Sequence, residues 1–98
     1  MYKRQDLCDL LSLKWHHETD SRRSKEGFPD LVIAGPEGVA FAELKSEKGR
    51  ATAAQTEWIA ALCPHVYAAF WRPSDWPMVY NCLYELAGKT PPPHFEPR

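Results

Sequence analysis

The spacing of apolar positions changes several times along the chain, and each change marks an element. Leu7, Leu10 and Leu11 fall at helical spacing, which predicts a short amphipathic helix over about 2–11. Lys14-Trp15-His16-His17 then reads as a strand, and Thr19 to Glu26 is polar without periodicity, hence a loop. From Asp30 the pattern is that of a hairpin: Asp30-Leu-Val-Ile-Ala, the turn Gly35-Pro36-Glu37-Gly38, and Val39-Ala-Phe-Ala-Glu43-Leu-Lys45. Outside Asp30, Glu43 and Lys45 both faces of this hairpin are apolar, as a central, helix-covered sheet requires.

Ser46 to Arg50 is a second polar loop, and Thr52-Ala-Ala-Gln55 after it fits a capping box, with Thr52 as N-cap and Gln55 at N3. Trp58, Ile59 and Leu62 supply the buried stripe of the helix that follows, and Pro64 ends it. His65 to Trp71 is an aromatic-rich strand. Ser74 or Asp75 caps a last helix that uses Trp76, Val79, Tyr80, Leu83, Tyr84 and Leu86 and stops at Gly88. The expected architecture is a single α/β domain over 1–88, in the order α-β-β-β-α-β-α, with a proline-rich tail at 89–98. A crossover through the Thr52 helix sets the last strand parallel to its predecessor in a mixed central sheet flanked by helices.

The hairpin carries the chemistry. If it closes symmetrically about Pro36 and Glu37, Asp30 lies directly across from Glu43, with Cβ atoms roughly 4.5–5.5 Å apart on one face. Lys45 points to that face too, because side chains alternate along a strand. Two carboxylates at this distance repel, and burial penalises both charges. A divalent cation such as Mg²⁺, which takes oxygen ligands and keeps waters of its own, removes both problems. An attacking water acidified by the ion, with Lys45 orienting it or offsetting charge on a phosphorane, would then cleave a phosphodiester. Asp30 alone is equally well explained as a cap after Pro29; the three residues together are not.

Composition narrows the class. With 98 residues, 44% hydrophobic and 26% charged, the chain is an ordinary small globular domain. No apolar run approaches the roughly 20 residues that span a bilayer, so no membrane association is expected. The start, Met-Tyr-Lys-Arg, lacks the apolar core of a signal peptide, which suggests a cytosolic protein. Cys8, Cys63 and Cys82 are odd in number and lack a Cys-x-x-Cys pair, which fits reduced thiols better than disulfides or zinc ligands. His16 and His17 alternate faces on a strand and do not share one metal easily. A net charge of −1 excludes a protein that coats nucleic acid; the positive charge is local instead. Ser21, Arg22 and Arg23 precede the hairpin and Lys48 and Arg50 follow it, and both clusters can contact phosphates flanking a cut.

Pro29-Asp30 followed by Glu43-Leu44-Lys45 on the next strand resembles the PD-(D/E)XK, or restriction-endonuclease-like, nuclease superfamily. Gly27 ahead of it and the run Gly49, Thr52, Gln55, Trp58 behind it narrow the resemblance to the VRR-NUC family, especially small stand-alone members encoded by bacteriophages, over residues 5–86. The resemblance implies metal binding by the side chains of Asp30 and Glu43 and the carbonyl of Leu44, with Lys45 as catalytic lysine. It implies that Gln55 faces the active site, beside its local role in the capping box. The implied activity is a Mg²⁺- or Mn²⁺-dependent endodeoxyribonuclease cutting branched DNA such as four-way junctions. It would act as a homodimer, without a small-molecule cofactor, in the cytoplasm of a bacterial host. Superfamily members often place another acidic residue on the first helix; here only Asp6 and Asp9 are available, which leaves the number of metals open. A nuclease fold that binds branched DNA without turnover is the alternative, and a small α/β protein with a structural acidic pair is a third.

Overall fold

The computed structural model describes residues 3–19 and 25–92. The elements are α1 (Lys3–Leu10), β1 (Lys14–His17), β2 (Leu31–Gly35), β3 (Gly38–Leu44), α2 (Ala53–Leu62), β4 (Tyr67–Trp71) and, after a 3-10 turn at Pro73–Asp75, α3 (Trp76–Leu86). They build one mixed sheet in the order β1-β2-β3-β4, antiparallel across the first three strands and parallel between β3 and β4. The crossover carrying α2 is what lets β4 run parallel to β3.

One face of the sheet is the core. Leu31 and Ile33 of β2, Ala40 and Ala42 of β3 and Trp71 of β4 are buried against Leu7 and Cys8 of α1, Leu11 just after it, and Val79, Leu83 and Leu86 of α3. Small residues on β3 leave room for the larger side chains of α3, and the Trp71 indole N–H is satisfied by Tyr67 Oη at 3.0 Å. The hairpin's turn end is tucked under the last turn of α3, where Glu37 N donates to Leu86 O at 3.1 Å. Gly35 permits this approach: a β-carbon there would lie 2.5 Å from Leu86 O. Gly88, at φ +70°, ends α3 where the sequence places its stop.

The opposite face carries α2, and here the expectation of a buried stripe is corrected. Trp58, Ile59 and Leu62 are only half-buried, and α2 has no fully buried residue. The helix packs over β4, and Gln55 in its first turn reaches Glu43 at the end of β3. Its anchor is aromatic: Phe28 sits edge-on to Trp58 at 4.9 Å and to Phe41 at 6.0 Å. Three smaller corrections follow from hydrogen bonding. His65 and Val66 are not strand, because both N–H groups turn back to Leu62 O. Asp75 accepts from Arg72 N at 2.9 Å, so it caps the 3-10 turn and not α3. No side-chain cap is made by Asp75 on α3 itself, and Ser74 is engaged elsewhere through its N–H.

Cys8 and Cys82 are buried free thiols and Cys63 is exposed. Burial pushes the Cys8 thiol up to about 12 and Cys82 up to about 11, so neither is a ready nucleophile. No described helix is long and apolar enough to cross a membrane. The tail expected from residue 89 lies outside the described residues from position 93 onward.

Candidate active site

The β2–β3 hairpin pairs Leu31 with Ala42 and Gly35 with Gly38, so its turn is Pro36-Glu37 and the next pair along the register is Asp30 with Glu43. Leu31 and Ala42 point into the core; Asp30 and Glu43 therefore point to the α2 face. Asp30 Oδ2 accepts from Leu44 N at 3.2 Å, which ties the first carboxylate to the strand that carries the second.

Glu43 is the unusual residue. It is 4% exposed, and its Oε1 is buried with no hydrogen-bond partner. Burial first, then the charge of Asp30, raise its carboxyl from 4.5 to about 7, against the opposing pull of Lys45. Its other oxygen, Oε2, accepts from Gln55 Nε2 at 2.8 Å. Gln55 does two jobs at once: its Oε1 accepts from Thr52 N at 2.9 Å while its own N–H donates to Thr52 Oγ1 at 3.1 Å. The capping box thus orients the amide that grips Glu43, and the local and site roles are not alternatives.

A cleft of about 470 Å³ opens over this pair, with Glu18, Lys25, Asp30, Glu43, Thr52 and Gln55 on its walls. One wall is the strap before β2. Gly27 has φ +84°, and a β-carbon there would lie 2.5 Å from the Ala54 backbone, so only glycine lets the strap lie against the first turn of α2. Lys45 is half-buried and close enough to Glu43 to act on its charge, though it does not line the cleft, and its backbone N–H donates to Trp71 O at 2.9 Å. Lys48 and Arg50 are exposed on the loop after it, and neither lines the cleft. Ser21, Arg22 and Arg23 lie outside the described residues.

Asp6 and Asp9 do not reach this site. The apolar side of α1 packs on the core face, Asp6 is exposed, and Asp9 accepts from Trp15 Nε1 at 2.8 Å. Helical spacing does not show which face of the sheet α1 covers, and it misplaces Leu10, which the structure leaves exposed. The acid missed in the sequence is Glu18. Its N–H donates to Asp30 O at 2.8 Å, which continues the pairing one step beyond His17 and Leu31 and brings Glu18 beside Asp30, itself one step along the register from the Leu31–Ala42 pair. Glu18 also lies 3.3 Å from His16 Nε2.

Among the described residues no group of three or more His, Cys, Asp or Glu side chains is gathered closely enough to hold a metal ion. A divalent ion here would draw on two carboxylates and a backbone carbonyl. The orphaned Glu43 Oε1, beside a second carboxylate at the cleft, suits such an ion: it is a buried acceptor with no hydrogen-bond donor.

A family model described as the VRR-NUC domain matches residues 5–73, ending before α3. A solved structure described as a VRR_NUC domain protein superposes with a TM-score of 0.56 at 26% sequence identity, covering 74% of this chain and 68% of that one. No curated protein is matched by the chain.

Proposed function

The chain belongs to the VRR-NUC domain family, a nuclease family, and from that premise we propose that it is a Mg²⁺- or Mn²⁺-dependent endodeoxyribonuclease. The observation that carries the metal dependence is Glu43, a carboxylate that is nearly fully buried, half unpartnered and faced by Asp30. Such an arrangement is costly until a cation neutralises it.

Asp30, Glu43 and the carbonyl of Leu44 would hold the ion, which when bound supplies Lewis acidity toward water and the scissile phosphate. The chain's own residues do the rest. Gln55 fixes Glu43 Oε2, which leaves Oε1 for the ion. The Leu44 N–H holds Asp30 Oδ2 in register. Lys45 orients the attacking water and offsets negative charge as the phosphorane forms. Lys48 and Arg50, exposed on the loop after Lys45, and the Ser21, Arg22 and Arg23 cluster would contact backbone phosphates flanking the cut.

The substrate is proposed to be branched DNA, cut by a homodimer that presents two such sites. The setting would be phage DNA processing in the cytoplasm of a bacterial host, with 1–88 as the catalytic unit and the tail outside it. The test is cleavage of supercoiled plasmid and of a synthetic four-way junction, with Mg²⁺ or Mn²⁺ and with EDTA. Metal-dependent cleavage, faster on the junction than on linear duplex, supports the reading. Tight junction binding with no cleavage under any metal would support the binding module instead, and neither binding nor cleavage would refute both.

A further inference from the structure

Arg72, the first residue after β4, has no part in the chemistry described so far. Its guanidinium Nη1 reaches back across 26 residues to donate to Ser46 O at 2.6 Å and to Gly49 O at 2.7 Å, with Glu47 O at 3.5 Å. Glu47 ties the same two segments together in the opposite sense, its carboxylate accepting from Ser74 N. Between these anchors the loop closes its own turn, Gly49 N to Ser46 O at 3.2 Å. A β-carbon on Gly49 would lie 2.9 Å from Ser46 Oγ and 3.7 Å from Lys45 Cδ, so the turn folds against the stem of Lys45.

Ser46, Glu47 and Lys48 are exposed, and this turn contributes nothing to the apolar core. Its position depends on polar contacts, of which those from a charged guanidinium are the strong ones. What lies on either side of the turn makes that position matter. Lys45 precedes it, and Thr52 and Gln55, whose capping box aims an amide at Glu43, follow it.

We propose that Arg72 is a positioning residue of the site: by clamping the 46–49 turn to the end of β4, it sets Lys45 and the Thr52–Gln55 capping box against Asp30 and Glu43. The proposal rests on the nuclease reading for its catalytic consequence, but the clamp itself is a statement about the free protein. The clamp also commits Nη1 to protein carbonyls, so Arg72 is not primarily a phosphate ligand.

Wild type, Arg72→Gln, Arg72→Lys and Glu47→Ala are to be compared in two ways. One is DNA turnover and binding with Mn²⁺; the other is amide hydrogen exchange of the metal-free protein. In Arg72→Gln the amides of Gly49, Thr52 and Gln55 should exchange faster while those of the β2–β3 ladder do not. Turnover should fall by about 10²-fold, the scale of a small misplacement of reacting groups, with DNA affinity and its salt slope unchanged. The Lys ammonium also offers three donors to the same carbonyls, so Arg72→Lys should recover much of both signals. Glu47→Ala loosens the turn without touching Arg72 and should shift both in the same direction, which keeps the test decisive should Arg72→Gln fail to fold. Unchanged exchange at Gly49 and Gln55 overturns the clamp, as does an Arg72→Lys protein no better than Arg72→Gln. Loosened exchange with full turnover overturns the positioning role, and a fall in affinity and salt slope would make Arg72 a phosphate contact. A wild type that cleaves no DNA refutes the nuclease reading and with it the catalytic role, while the exchange comparison still decides the clamp.

Discussion

Replacing Glu43 by Gln should make the metal-free protein more stable while abolishing its response to metal. The wild-type carboxyl is raised from 4.5 to about 7, by burial first and by Asp30 second. The folded protein therefore holds the proton more tightly than the unfolded chain does. The stability this contributes is fully present below 4.5 and is lost as pH rises through about 7. At 1.36 kcal/mol per pH unit, that interval sets a ceiling of about 3 kcal/mol on the loss. Water in the open cleft screens part of it, so a loss on the order of 1–2 kcal/mol is expected at pH 8. Glu43→Gln carries no charge to desolvate. Its amide oxygen can still accept from Gln55, and its amide N–H₂ can donate toward Asp30. In EDTA at pH 8 the variant should melt roughly 5–10 °C above wild type, converging with it near pH 4. Millimolar Mg²⁺ or Mn²⁺ should reverse that order, because a ligand at about 100-fold over its Kd adds about 2.7 kcal/mol to wild type and nothing to the variant. Calorimetric melts at pH 4, 6 and 8, with and without metal, make the comparison. A variant that melts below wild type in EDTA at pH 8, or that gains as much from metal as wild type does, would refute the reasoning.

Asp30→Asn, which removes the other charge, should likewise lose the metal-dependent rise in melting temperature and all cleavage, read in the same melts and a plasmid assay. Lys45→Ala should keep the metal-dependent rise yet lose about 10²–10³ in turnover, measured under single-turnover conditions; near-wild-type turnover removes Lys45 from the mechanism. Removing Lys48 and Arg50 together should lower the log–log salt slope of duplex binding by roughly 0.9 for each phosphate no longer neutralised, followed by fluorescence anisotropy. Gly27→Ala places a β-carbon 2.5 Å from the Ala54 backbone at φ +84°, so urea denaturation should show a loss of about 2–3 kcal/mol.

Much of the site was legible in the sequence because it is local. A hairpin with a two-residue turn has one symmetric register, and Gly35-Pro36-Glu37-Gly38 supplies that turn. The register that sets Asp30 across from Glu43 follows from counting residues. The Thr52–Gln55 capping box is equally local, spanning one helical turn. What tertiary structure decided is how segments far apart in the chain meet. The strands β1 and β2 are joined by a long polar segment that imposes no register, so the placement of Glu18 beside Asp30 could not be counted out. The stripe read for α1 is only partly right, since Leu7 is buried while Leu10 is 72% exposed, and only packing against α3 puts the helix on the core face and takes Asp6 and Asp9 away from the cleft. The stripe of α2 is apolar in sequence, yet it stays half-buried, because the helix packs chiefly over β4. Arg72 gives no signal at all in the sequence, since its partners are backbone carbonyls 23 to 26 residues away. Local hydrogen bonding and side-chain period are written in the order of residues; which surfaces then meet is settled only when the whole chain buries its apolar area at once.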